Sequence, residues 1–177
     1  LSRAGDMLRK HLVWRFGTYR PFEIRCEEMN QYARTGSIQV SPHGQDKWQR
    51  PIIILDDSKE CVNETDAAKK QRAAMRHLAF SLERAARQMP QGVERNVVFI
   101  SLEDFSLWTA PSLATTRETI DIVCNQYPER LGHCIMFKAP SVFTAFWKVA
   151  KRFLDPVTAE KITFISGDTS PGSANDA

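Results

Sequence analysis

Residues 127–165 read YPERLGHCIMFKAPSVFTAFWKVAKRFLDPVTAEKITFI. Within them, 134–137 (CIMF) is an apolar run of strand length, 142–154 repeats large apolar residues at helical spacing, and 162–165 (ITFI) is a second short β-rich run. Strand, helix, strand in that order makes a βαβ unit: two parallel strands joined by a helix that crosses one face of their sheet.

The same alternation extends towards the N-terminus. Residues 96–101 (NVVFIS) form a continuous apolar strand of the kind buried on both faces, and a helix is predicted over roughly 114–125. Asp66 can cap a long helix to about Met89, in which Ala67, Ala74, Leu78, Leu82, Ala85 and Met89 recur near helical spacing before Pro90 and Gly92 stop it. Upstream, 36–40 (GSIQV) and 51–55 (PIIIL) read as two strands separated by the loop 41–44 (SPHG) and the polar stretch 45–50. Met7, Leu8, His11, Leu12, Trp14 and Arg15 fit an amphipathic helix that Gly17 ends, and 22–33 suits another short one.

The expected fold is therefore α/β: a mostly parallel mixed sheet of about five strands flanked by helices. Residues 1–35 read as the end of a helical subdomain and a connector, 36–166 as the main domain, and 167–177 (GDTSPGSANDA) as a polar loop or frayed end. The chain starts at Leu1, inside what already reads as a helix, so it is expected to be a fragment of a longer protein.

Composition narrows the function classes. With 177 residues, 42% apolar and 25% charged, the chain has the make-up of one globular domain. No apolar run approaches the roughly 20 residues that span a bilayer, and the first residues lack a secretion-signal pattern. Cys26, Cys61, Cys124 and Cys134 form no C-x-x-C pair and read as reduced thiols. The net charge of +3 argues for no nucleic-acid partner, although it suits brief contact with anionic lipid.

The predicted helix over 142–154 carries more apolar surface than one core contact needs. Val142, Phe146, Val149 and Phe153 form one stripe, and Phe143, Trp147, Ala150 and Leu154 a second beside it. Two readings follow. The helix is either buried between the sheet and its neighbours, or it is a lid with one stripe on an apolar cavity and the other free to meet lipid, where Phe143, Phe146 and Trp147 suit a membrane interface.

Four short motifs in this segment, Tyr127-Pro-Glu-Arg130, Ala139-Pro140, Phe153-Leu-Asp-Pro156 and Thr158-x-x-Lys161-Ile162, stand in the order and spacing of the CRAL-TRIO phosphatidylinositol-transfer proteins, which the chain resembles. Weaker likeness at 7–15, 46–54 and 97–106 extends the resemblance to about residues 7–165. It implies a CRAL-TRIO fold whose apolar cavity encloses one lipid, with the helix after Ala139-Pro140 as its gate, lined by Val142, Phe143, Phe146, Trp147, Val149, Ala150, Phe153 and Leu154. It implies Glu129, Arg130, Thr158 and Lys161 around an inositol phosphate head group, where lysine offers a point charge, threonine a hydroxyl and glutamate an acceptor. Glu129 and Arg130 have a structural alternative, a salt-bridge node at the gate hinge.

The resemblance further implies a non-catalytic, cytoplasmic protein that binds and transfers or presents a phospholipid, phosphatidylinositol first, with transient peripheral association to membranes and no cofactor besides the lipid. The alternative function is a lipid-sensing or protein-interaction regulatory domain of a larger protein that transfers nothing. Asn96 and Val98 stand where choline-lipid binders of the family place small hydroxyl residues, which disfavours phosphatidylcholine, and Ser101 replaces an acidic residue after the central strand.

No Gly-x-Ser-x-Gly elbow, P-loop or G-x-G-x-x-G occurs, so hydrolase and nucleotide chemistry have no visible seat. His11, His43, His77 and His133 are scattered without partner spacing and read as surface or core residues rather than metal ligands. Haem ligation through His133 or Tyr127 is the remote exception.

Overall fold

The computed structural model describes residues 2–56, 59, 65–108 and 110–166. Cys61 and the expected polar tail at 167–177 lie outside the described residues.

Helix α1 (Ser2–Val13) runs into a wide turn at Trp14–Thr18, and α2 (Cys26–Thr35) follows a short 3-10 turn at Pro21–Glu23. Gly36 ends α2 at φ +74°, the left-handed conformation that glycine adopts without a Cβ clash. Strand β1 (Ile38–Gln45) pairs antiparallel with β2 (Pro51–Asp56), Ile38 opposite Leu55 and Gln45 opposite Pro51.

The loop expected at 41–44 is instead strand, with a register break between Val40 and Gln45. Asp46 supplies the reason. Its Oδ1 accepts the backbone N–H of Trp48 (3.0 Å) and Arg50 (2.9 Å), and its Oδ2 lies 2.5 Å from the Arg50 guanidinium. The turn over 46–50 therefore closes tightly and draws Gln45 back against Pro51. Strand β1 is an edge strand, where a bulge and Pro42 leave no central ladder broken.

Helix α3 (Ala67–Arg87) begins where the sequence indicates, with Asp66 Oδ1 accepting from Ala68 N (3.0 Å) and Lys69 N (3.2 Å). Strand β3 (Asn96–Ser101) follows, then α4 (Leu113–Asp121), which Ser112 caps at Thr115 N (3.1 Å) and which widens into a turn at Ile122–Gln126. Strand β4 (Leu131–Phe137), α5 (Phe143–Ala150), a 3-10 turn at Lys151–Phe153, α6 (Pro156–Glu160) and β5 (Ile162–Ile165) complete the order.

The five strands lie in the order β1-β2-β3-β4-β5, and β2 to β5 are parallel. Each crossover steps one strand in the same direction. Because such crossovers are right-handed, their helices gather on one face of the sheet. Ile53, Val98, Cys134 and Ile162 stand side by side across that face. The apolar strand at 96–101 is buried only in part: Val97 and Val98 are buried, but Phe99 and Ile100 are half-buried, as are Ile54, Ile135 and Phe137.

Apolar packing falls into two clusters. One joins the N-terminal turns to α3 and β2 through Trp14, Tyr19, Met29, Ile53, Met75, Leu78 and Leu82. The other joins β3 and β4 to α5 through Val98, Leu102, Cys134, Met136 and Phe143. The N-terminal segment is tied to the rest through Glu83, whose Oε1 accepts from Arg15 Nη1 and from the Tyr127 hydroxyl, each at 2.9 Å.

Candidate functional site

Between the two clusters lies a cavity of about 280 Å³. Its floor is the row of Ile53, Leu55, Val98, Ile100, Cys134 and Met136, its walls are α3 and α4, and α5 covers it with Phe143, Phe146, Trp147 and Ala150. The volume sits at the lower edge of the roughly 300–1,000 Å³ of small-molecule sites. The lining is mostly apolar, and the space lies where α3, α4 and α5 cross one face of the sheet.

An aromatic cluster holds α5 down. Phe143 is only 4% exposed and contacts Phe105 (5.0 Å between ring centroids, edge-on), Phe146 (5.7 Å) and Phe164 (6.2 Å), while Trp147 meets Phe164 edge-on at 5.5 Å. No side chain caps the first turn of α5, and Pro140 and the extended residue Leu154 bound the segment. It is attached by apolar contact rather than by caps.

The helix is also shorter than the one predicted over 142–154. It is α-helical over Phe143–Ala150 and tightens to a 3-10 turn over Lys151–Phe153, which rotates the last residues. The stripe facing the cavity holds Phe143, Trp147, Ala150 and Leu154, joined by Phe146 from the other stripe. Val142, Val149 and Phe153 do not line the cavity, and Val142 is exposed.

At the β5 edge, α6 and the 127–130 turn converge. Glu129 takes a left-handed backbone (φ +59°) and places Oε2 3.5 Å from Lys161 Nζ. Thr158 lines the cavity and sits on α6, which Asp155 caps: Asp155 Oδ1 accepts Thr158 N (2.9 Å) and Oδ2 accepts the Thr158 hydroxyl (2.5 Å). These two bonds hold the Asp155 carboxyl below its usual range. Neighbouring Cys124 also lines the cavity. Burial chiefly raises its thiol pKa, while a hydrogen bond with Thr158 and the charge of Lys161 pull it back.

Arg130 points elsewhere. Its guanidinium donates to the Glu94 carbonyl (2.9 Å) and touches Met89 Sδ (3.7 Å), and its own carbonyl accepts Asn96 N (2.8 Å). Glu129 is paired with Lys161 rather than with Arg130, so the structure brings together Glu129, Thr158 and Lys161 and leaves Arg130 at the foot of β3. Of Asn96 and Val98, Val98 lines the cavity and offers no hydroxyl.

Neither residue named for haem reaches the cavity. The Tyr127 hydroxyl is bound to Glu83, and burial with that carboxylate raises its pKa. His133 alternates with the lining residue Cys134 and so projects from the opposite sheet face. Among the described residues no group of three or more His, Cys, Asp or Glu is placed to hold a metal ion, and no helix is long and apolar enough to cross a membrane. Several polar residues that the sequence did not single out also line the cavity, among them Tyr32, Ser37, Thr119 and His77, the last signalled by its place beside Ala74 and Leu78 on the buried stripe of α3.

This combination of a one-sided helical cover, a mostly apolar cavity and a helix, α5, packed over it agrees with a family match to the CRAL/TRIO domain over residues 36–172. The chain belongs to the CRAL/TRIO domain family. It is 31% identical over 166 residues to a CRAL-TRIO domain-containing protein of Schizosaccharomyces pombe, covering 93% of this chain and 15% of that protein. It is 28% identical to the phosphatidylinositol transfer protein PDR17 of Saccharomyces cerevisiae, covering 89% and 46%. With the SEC14 cytosolic factor of Eremothecium gossypii it shares 34% over 136 residues, covering 72% and 44%. The chain thus spans less than half the length of each of these relatives. Among solved structures, Sfh5 superposes with a TM-score of 0.67 at 16% identity, covering 90% of this chain and 57% of that one, which shows the CRAL/TRIO fold.

Proposed function

We propose that this domain binds a phospholipid, phosphatidylinositol first, with its acyl chains under α5 and its head group at Glu129, Thr158 and Lys161, and that it exchanges the lipid with membranes without catalysing any reaction. The observation that carries this reading is the mostly apolar cavity roofed by α5, with the Thr158 hydroxyl among its lining residues and Lys161, paired with Glu129, three residues further along the chain. Each buried methylene contributes about 0.8 kcal/mol, so an enclosed cavity is what makes a lipid tail leave a bilayer.

A two-chain lipid needs more than about 280 Å³, so α5 swings outward on loading, turning at Pro140 and Leu154. Membrane contact favours the open state and a bound lipid the closed one, and the difference drives exchange. Beside the lid, Leu107, Leu113 and Val142 are exposed and Trp108 is 97% exposed, while nearby Phe105 and Pro111 line the cavity. An apolar rim around the cavity mouth suits transient docking on a membrane surface. The names of PDR17 and the SEC14 relatives, a phosphatidylinositol transfer protein and cytosolic factors, support the same reading and a cytoplasmic location.

The test is native mass spectrometry and lipid extraction of the purified protein, followed by transfer of labelled phosphatidylinositol between vesicles. Co-purified phospholipid and measurable transfer are expected. A protein that neither carries nor exchanges lipid overturns the proposal.

A further inference from the structure

Helix α3 places an imidazole, His77, on its buried stripe without a hydrogen-bond partner among the described residues. His77 is 2% exposed, and its partner is the Tyr32 ring, tilted at 43° with centroids 5.9 Å apart. No hydrogen bond among the described residues reaches its ring nitrogens. Those nitrogens are not sealed in the packing: among the described residues the side-chain atom that is both fully buried and unpartnered is Trp14 Nε1, whereas His77 lines the cavity together with Tyr32 and Ser37. Buried polar groups are almost always paired, so an imidazole left open to a cavity marks a place where something else supplies the partner.

The chemistry of that partner is narrow. Burial pushes the His77 pKa down to about 4, so the ring is neutral and offers one N–H donor and one acceptor nitrogen. A phosphate or carboxylate gains little from a neutral ring, while a hydroxyl, itself donor and acceptor, matches both nitrogens' roles. The helical neighbours Ala74 and Leu78 that line the same cavity are apolar. The spot is also remote from Lys161. Ser37 precedes β1, and its carbonyl accepts Asp56 N (2.8 Å), whereas Lys161 precedes β5, and β1 and β5 are the opposite edges of the sheet.

We infer that His77, with Tyr32 and Ser37, forms a second polar subsite of the cavity that takes an uncharged hydroxyl carried on an otherwise apolar ligand, such as a long-chain alcohol or a hydroxylated lipid tail. This rests on the reading of the cavity as a lipid site. The test compares 1-decanol with undecane, which have the same number of heavy atoms, by headspace partitioning onto the wild-type protein and His77→Phe. The ratio of alcohol to alkane affinity is expected to fall about tenfold in His77→Phe, with undecane binding retained.

An unchanged ratio overturns the subsite and leaves the lipid cavity standing. Failure of both probes to bind the wild-type protein overturns the cavity reading and the subsite with it. If His77→Phe does not fold, ¹⁵N shifts of the His77 ring decide in the wild-type protein. They are expected to move with decanol and not with undecane, and no movement with decanol bound overturns the proposal.

Discussion

Lys161 Nζ stands 3.5 Å from Glu129 Oε2, and the two side chains differ sharply in exposure, 19% for the lysine against 77% for the glutamate. The lysine, between the cavity-lining residues Thr158 and Ile162 in the chain, is largely covered while its counter-ion hangs in solvent. An exposed pair of this kind contributes about 0–1 kcal/mol, so a phosphate can replace the carboxylate at small cost.

Lys161→Ala is therefore expected to lower phosphatidylinositol transfer about 10- to 100-fold, the loss of one hydrogen bond to a charged group at roughly 1.5–3 kcal/mol, while Tm moves by no more than about 3 °C. Vesicle transfer of phosphatidylinositol beside an uncharged lipid measures it. Equal loss for both lipids would assign Lys161 a purely structural role.

Arg130→Ala is expected to behave oppositely. Its guanidinium satisfies the Glu94 carbonyl at the base of β3, away from Lys161. Removing it should lower stability by about 1–2 kcal/mol, seen in urea unfolding, and affect transfer of all lipids alike.

Ile100→Trp fills the cavity from the floor, since Ile100 lines it from β3 opposite Met136. Co-purified lipid, counted by native mass spectrometry, should drop at least tenfold. The extra bulk should cost about 1–3 kcal/mol, leaving a cooperatively folded protein.

Trp108→Ala removes a side chain that is 97% exposed and contributes little to the core. Its Tm should stay within about 2 °C of wild type, while co-sedimentation with vesicles falls several-fold. Quenching of the remaining tryptophan fluorescence by brominated lipid would follow the same loss.

His77 gives the fold a pH limit. Its folded pKa is about 4 against an ordinary 6.5, so between these values the unfolded chain binds more protons than the folded one. The stability is fully present above pH 6.5, declines as pH falls through that window, and about 3 kcal/mol is lost near pH 4. Urea midpoints measured from pH 7 to 4 should fall more steeply for the wild type than for His77→Phe, because every other acid-titrating group is common to both.

The parallel sheet was legible because its signals are local. Short apolar strands at 51–55, 96–101, 134–137 and 162–165 alternate with helical spacing, and Asp66 marks the start of α3 by a hydrogen bond made within its own first turn. The excess apolar surface of 142–154 was legible for the same reason. The bulged end of β1 was not, because Asp46 and Arg50 set it by closing a turn whose outcome depends on the facing strand.

By itself, then, the sequence determined the alternating elements, the doubled stripe of α5 and the motif residues Glu129, Thr158 and Lys161, since periodicity, capping and short motifs are properties of neighbours along the chain. Only the tertiary structure decided which stripe faces inward, that Arg130 turns to Glu94, and that His77 opens onto a cavity with Tyr32 and Ser37. Those depend on the one-way stepping of the crossovers, which stacks distant segments over a single sheet face and leaves the space between them.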